Sequence, residues 1–274
     1  VALRRVMITG CSSGLGAELV RQYLQLGWEV FAAVTSLERA GEMALLAGES
    51  HLSLVAIDVC KAGDIELARD QIESSGCLDL LILSAGVHEF SPVETMDFRS
   101  AERLMEVNFF GILRCVQSFV PMLRKQGFGR VLAVSSLSAQ IGLPCDGVYA
   151  ASKAALEKLF ESLRAELSHF GVSVCVVAPS GFSSGLLSSS GLSGLDGASP
   201  YFPLVSAMME RQSAPAEGSL QKVAGEVVSL SVADTVGFRE PVGAGAGDVL
   251  RKIYRMSESQ RAAAVADWSG TECW

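Results

Sequence analysis

Six short segments of this chain are apolar along nearly their whole length: RRVMIT, WEVFAAV, HLSLVAID, LDLLIL, GRVLAVSS and VSVCVVAP. A strand with one wet face alternates polar and apolar residues, whereas a strand apolar throughout is covered on both faces, as in a parallel sheet between helical layers. Stretches of helical period separate these runs, at 15–26, 37–47, 62–74, 98–126 and 148–170. With right-handed crossovers the order predicts an α/β fold, a doubly wound parallel sheet with helices on both faces. No fixed-period repeat and no polar linker divides the first 180 residues, so 1–274 reads as one domain.

Beyond Pro179 the pattern changes. The Ser/Gly-rich SSGLLSSSGLSGLDG cannot pack as a strand or a sustained helix and reads as a mobile loop, part of a substrate-binding lid over about 183–220. Tyr201, Phe202, Met208 and Met209 follow, and either line an apolar pocket or pack the lid onto the core. Residues 221–233 read as an amphipathic helix, FREPVG near 238 as a last strand, and 248–274 as helical and then frayed, with no assignable chemistry.

Composition narrows the function. The formal net charge of -8 offers nothing to nucleic-acid phosphate or to an anionic membrane surface. The seven Cys are scattered, with no C-x-x-C pair and no His at ligand spacing, which speaks against a metal site or redox dithiol and for a reducing, cytoplasmic compartment. Mean hydropathy is high at +0.35, yet no apolar run reaches the roughly 18 residues of a membrane span. Val1 leads almost directly into a core strand, so a leader peptide is expected to be absent or already removed.

The first strand runs into TGCSSGLG, where Gly10, Gly14 and Gly16, interleaved with Ser12, Ser13 and Leu15, open the first helix. Glycines there let the backbone turn sharply and approach a pyrophosphate, while the helix N-terminus supplies free N–H groups and the positive dipole end. The spacing, G-x-x-x-G-x-G, differs from the G-x-G-x-x-G fingerprint. An NAD site usually ends its second strand with an acid on the ribose; here the strand ends in Val34, Thr35 and Ser36. With no carboxylate to repel a 2′-phosphate, and with Ser12, Thr35, Ser36 and Arg39 as donors, NADP(H) is favoured over NAD(H). Asp58, followed by Val59, ends the third strand; it either reaches the adenine amino group or caps the next helix.

YAASK places Tyr149 and Lys153 four residues apart on one helix face. A phenol of reference pKa about 10 is a poor base at neutral pH, and a nearby ammonium makes it a better one. Ser136, at the C-terminal end of the fifth strand, lies on the sheet edge where ligands bind and can hold a substrate oxygen.

TGCSSGLG, Asp58, the SAG of Ser84, Ala85 and Gly86, Asn108 in VNFFG, Ser136 in VSS, YAASK and the turn APSG together resemble, in order and spacing, the short-chain dehydrogenase/reductase family, over about residues 3–184. The resemblance implies a single Rossmann domain that binds NAD(P), and a catalytic tetrad of Asn108, Ser136, Tyr149 and Lys153. In that reading Tyr149 exchanges the proton and Ser136 orients the substrate oxygen. Lys153 binds the nicotinamide ribose and depresses the Tyr149 pKa, and Asn108 holds a water linking Lys153 to solvent. The turn of Pro179, Ser180, Gly181 and Phe182 completes the cofactor site. Two departures stand out: the family's N-N-A-G reads Leu83, Ser84, Ala85, Gly86, and Ser184 replaces the Thr that contacts the carboxamide.

The sequence is similar to the branch of 17β-hydroxysteroid and retinol dehydrogenases, implying a small apolar alcohol or ketone as substrate; a 3-oxoacyl-thioester reductase and a non-catalytic nucleotide-binding regulator are the alternatives. Helices 98–126 and 148–170 carry more apolar positions than one face needs, and in the family they pair as a four-helix bundle, so a homodimer or homotetramer is expected. His88, just after the SAG turn, faces the cleft region and either touches substrate or, as loop histidines more often are, is solvated; His51 and His169 read as surface residues, and Cys145 as a pocket wall.

Overall fold

A computed structural model describes residues 3–180, 199–213 and 219–269. Seven strands, β1 (Arg5–Thr9), β2 (Glu29–Val34), β3 (Leu52–Ala56), β4 (Leu80–Leu83), β5 (Gly129–Val134), β6 (Val172–Pro179) and β7 (Arg239–Val242), form one parallel sheet in the order β3-β2-β1-β4-β5-β6-β7. Its helices are α1 (Gly14–Gln25), α2 (Ala62–Ser75), α3 (Phe98–Met105), α4 (Ile112–Gln126), α5 (Gly147–Leu167), α6 (Phe202–Ser213), α7 (Leu220–Val232), α8 (Ala246–Arg255) and α9 (Glu258–Ser269). The chain starts in the middle of the sheet and winds outward both ways. A crevice therefore opens between the C-terminal ends of β1 and β4, the switch point where such folds bind ligands.

The apolar runs are explained by the pleat. Val6 and Ile8 of β1, Val30, Ala32 and Val34 of β2, and Leu80 and Ile82 of β4 pack on one face with Leu19 and Tyr23 of α1 and Val223 and Val227 of α7. Their neighbours Met7, Phe31, Ala33, Leu81 and Leu83 pack on the other, with Ile65 of α2, Phe119 and Leu123 of α4, and Leu156 and Phe160 of α5. Each of these three strands thus feeds two cores, and each large side chain so buried stabilises the fold by about 1.5–3 kcal/mol.

Several elements differ from expectation. Residues 37–47 form two tight 3₁₀ stretches, Leu37–Arg39 and Gly41–Leu46, instead of one helix. Ala40 and Met43 are buried in the core and Leu46 packs against it, each three residues from the last, and that is the 3₁₀ period. The helix expected over 98–126 is interrupted by a wide π turn, Glu106–Gly111, which carries Asn108. The apolar surplus of α4 is largely spent inside the chain, on Ile112, Cys115, Val116, Phe119, Val120, Met122 and Leu123. The C-terminal segment makes two helices, α8 and α9. The Ser/Gly-rich stretch lies outside the described residues, as do Gly181, Phe182 and Ser184. Among the described residues no helix is long and apolar enough to cross a membrane.

Candidate active site

The β1–α1 corner is built from main chain. Gly10 has φ +74, and a Cβ added there would stand 2.7 Å from Ala85 Cα. One added at Gly16 would stand 2.2 Å from Gly10 O, so turn, helix and the end of β4 touch through backbone alone. Ser13 precedes α1 without a side-chain cap, and the first turn has no acid. The N–H groups that open α1 thus lack a side-chain partner, and they suit a pyrophosphate. Cys11 anchors the turn from beneath: its thiol donates to Ile8 O at 3.1 Å and its N–H to Ala33 O at 2.9 Å.

Thr9, which sequence reasoning passed over, ties the two central strands. Its hydroxyl oxygen accepts from Ser84 N at 3.0 Å and Ala85 N at 3.1 Å. A polar residue closing the apolar run Val6–Met7–Ile8 of β1 was the only signal for it.

Asn108, Lys153 and Gly86 meet behind that tie: a Cβ on Gly86 would lie 3.3 Å from Asn108 Oδ1 and 3.5 Å from Lys153 Nζ. The buried Asn108 amide accepts from Val87 N (2.8 Å) and donates to Val87 O (2.9 Å) and Ser152 Oγ (3.1 Å). Ser152 in turn donates to Tyr149 O at 2.7 Å. The amide thus pins the β4 loop to α5.

Lys153 Nζ donates to Val134 O at 2.9 Å and lies 5.7 Å from the centre of the Tyr149 ring. Burial pushes the ammonium down to about 8, against the opposing charge of Glu157. Burial, and then the charge of Asp146, push the Tyr149 phenol up, while hydrogen bonding to Ser136 pulls it down. Burial outweighs the hydrogen bond, so the proton affinity of the phenol is raised in this geometry.

Adjacent serines divide the work at the end of β5. Ser135, buried, donates to Glu157 Oε1 at 2.7 Å, whereas the half-buried Ser136 accepts from Ser138 N at 3.1 Å and meets Tyr149. Glu157 also accepts from Gln140 Nε2 at 2.5 Å and from Arg239 Nε at 2.7 Å, and Arg239 donates on to the Tyr254 hydroxyl. These partners come from the segment after β5, from β7 and from α8, and no sequence spacing announces them.

Thr35 is exposed and Ser36 half-buried where β2 ends. The Ser36 hydroxyl donates to Glu38, whose carboxyl is held low by its own backbone N–H and by that bond. Glu38 is an acid the sequence reading did not weigh, lying two residues past the position it inspected. Arg39 follows within the same 3₁₀ turn. Asp58 Oδ1 accepts from Cys60 N at 3.0 Å and its Oδ2 lies 3.7 Å from Lys61 Nζ, while Lys61 itself occupies the cap position of α2. Asp58 thus closes the turn ahead of α2 without capping it, and Val59 beside it is buried. Pro179 ends β6, and Ser180 N donates to Val242 O at 2.9 Å.

On the substrate side, His88 is buried beside Asp146 and Tyr149, not solvated as the sequence suggested. Phe90 and Cys145 form an apolar wall with Leu204, Val205 and Met208 of α6, joined by Leu143 and Tyr201. The Tyr201 hydroxyl donates to the Glu94 carboxylate, and Phe202 is 42% exposed.

Residues 4–192 match the family described as short chain dehydrogenase. The chain belongs to that family. It is 33% identical to retinol dehydrogenase 8 of Bos taurus over 65% of this chain and 59% of the relative. It is 33% identical to 17-beta-hydroxysteroid dehydrogenase type 1 of Homo sapiens over 63% and 55% of the two chains. Identity to human 11-beta-hydroxysteroid dehydrogenase type 2 is 37%, over 66% and 46%. The matched region therefore spans about half the length of these curated relatives. A solved short-chain dehydrogenase from Streptomyces avermitilis shares the fold, with a TM-score of 0.81 at 23% identity over 100% of this chain and 98% of that one. Another, from Burkholderia cenocepacia in complex with NADP, has a TM-score of 0.74 at 25% identity over 96% of both chains.

Proposed function

We propose that this protein is an NADP(H)-dependent oxidoreductase acting on a secondary alcohol or ketone, and that its substrate is apolar, of steroid or retinoid kind. The observation that carries this reading is the buried Tyr149 phenol, hydrogen-bonded to Ser136, with Lys153 one helical turn away, beside a glycine turn whose N–H groups suit a pyrophosphate. When bound, the cofactor supplies or accepts the hydride at its nicotinamide. In reduction Ser136 holds the carbonyl oxygen and Tyr149 gives it a proton. A phenol kept protonated by its surroundings suits that direction. The Lys153 ammonium then stabilises the phenolate left behind, more strongly than it would in water because both groups are buried.

Ser12 and Thr35 support NADP(H), as does the NADP complex of a structural relative, against the carboxylate of Glu38, which takes the Ser36 hydroxyl. The apolar wall of Phe90, Leu204, Val205 and Met208 supports an apolar substrate; the lid read over about 183–220 lies largely outside the described residues. The same reading includes a cytoplasmic homodimer or homotetramer that uses the exposed Phe98 and Phe110; sedimentation as a 28.9 kDa species would remove the assembly. The deciding test is Tyr149→Phe, assayed against steroid, retinoid and acyl-thioester carbonyls. Turnover is expected to fall by about 10²–10⁴-fold while NADPH affinity stays near wild type, and full turnover in the variant would rule out the acid–base role.

A further inference from the structure

The loop that follows β4 and the turn that enters α5 are fastened together at two points. Ser91 N donates to Cys145 O at 3.0 Å, and His88 Nε2 lies 2.7 Å from Asp146 Oδ1 with both side chains about 5% exposed or less. Asp146 stands at the cap position of α5 but makes no side-chain bond to that helix, so its carboxylate is turned to His88 instead. Cys145 just before it has φ +64, a left-handed conformation unusual for a residue with a side chain, and these contacts hold it there. The His88 ring packs edge-on against Tyr149, with centroids 4.4 Å apart and planes at 74°, and also against Phe90 at 4.4 Å.

Tyr149 lies in the first turn of α5, where a helix is least constrained by its own hydrogen bonds. Its ring has Lys153 on one side and His88 on another, and its hydroxyl must meet both Ser136 and a substrate oxygen. We propose that His88, clamped by Asp146, is a positioning residue that fixes the Tyr149 ring for proton transfer. The clamp locks the imidazole, the imidazole sets the phenol, and the strained turn is held by the same two contacts. This inference rests on the acid–base reading of Tyr149 given above.

His88→Gln keeps a donor for Asp146 and removes the ring. His88→Leu combined with Asp146→Leu removes the buried polar pair as a unit, which guards against a failure to fold. NADPH-dependent reduction of oestrone, retinal and phenanthrenequinone is followed for each variant, for wild type and for Tyr149→Phe, with melting curves to establish folding. Both His88 variants are expected to lose kcat by about 10- to 10²-fold, the size of a misplaced reacting group, with KM for NADPH and ketone within about twofold of wild type. Equal losses in the single and double variants would mark the pair as one device. A folded His88 variant with wild-type kcat, or one that changes only KM for the ketone, overturns the proposal while Tyr149→Phe remains inactive. If wild type reduces none of the three carbonyl compounds, or if Tyr149→Phe stays active, the acid–base reading fails first and this inference falls with it.

Discussion

At the β1–α1 corner the groups facing the cleft are main-chain N–H groups, laid bare by Gly10 and Gly16; at the β5–α5 corner they are the side chains of Ser136, Tyr149 and Lys153. The first corner works by close approach of backbone to backbone, with no rotamer to adjust. The second works through side chains whose angles and proton affinities are set by neighbours, among them Asp146, Glu157 and Val134. A site built from backbone should fail abruptly when a single atom is added, and a site built from side chains should shift by degrees.

The sharpest way to break this contrast is Gly16→Ala. The new Cβ would meet Gly10 O at 2.2 Å and Gly10 C at 2.8 Å, and neither is the end of a flexible side chain. The turn must therefore open or the helix must move. NADPH affinity is expected to fall by about 10²-fold or more, roughly 3 kcal/mol, measured by calorimetric titration. Near-normal binding would show that the corner tolerates displacement, and the contrast with the side-chain corner would disappear.

The same contrast explains what the sequence disclosed. Backbone-built function is local, so TGCSSGLG could be read from spacing, and the sheet could be read because both faces of each strand are buried. Tyr149 and Lys153 were legible because four residues of helix place them on one face. The tie from Thr9 to Ser84 and Ala85, the pair His88–Asp146 and the pair Glu157–Arg239 join residues 75, 58 and 82 positions apart. Nothing in a local pattern couples such positions; they meet only because the crossovers bring strand ends together. His88 illustrates the cost of reasoning from averages, since histidines in loops are commonly solvated and this one has a buried carboxylate opposite it. Glu38 was missed for another reason. The search stopped at the end of β2, and the 3₁₀ turn carries the acid back toward Ser36.

Glu157→Gln sharpens the comparison from the side-chain corner, with a smaller effect. Lys153 is pushed down to about 8 by burial, and the Glu157 charge holds it up. Removing that charge lowers it further, so the ammonium is lost at a lower pH. Ketone reduction is expected to decline as pH rises through the Lys153 transition, and in the variant that decline should begin at lower pH, with turnover at neutral pH reduced only severalfold. The variant also leaves Arg239 without its carboxylate, at a cost of about 1–3 kcal/mol in stability, visible as a lower Tm. An unshifted pH profile in a folded variant would detach Glu157 from Lys153 and leave it as a brace between α5 and β7.

The smallest effect belongs to the outer edge of the cofactor site, where a side chain acts beside the backbone corner without being part of it. Glu38 is fully exposed and accepts a hydrogen bond from Ser36, one of the hydroxyls suited to a 2′-phosphate. Its charge repels that phosphate and its carboxylate occupies the Ser36 donor, so Glu38→Gln should favour NADPH on both counts. Because the group is in water, screening limits the gain: NADPH affinity should rise by about two- to threefold at low ionic strength and by less at high salt, while NADH, lacking the phosphate, changes little. Parallel titrations of both cofactors at two salt concentrations measure the difference. Weaker NADPH binding in the variant would mean that Glu38 supports the turn more than it opposes the phosphate, and equal gains for NADPH and NADH would place the 2′-phosphate beyond its reach.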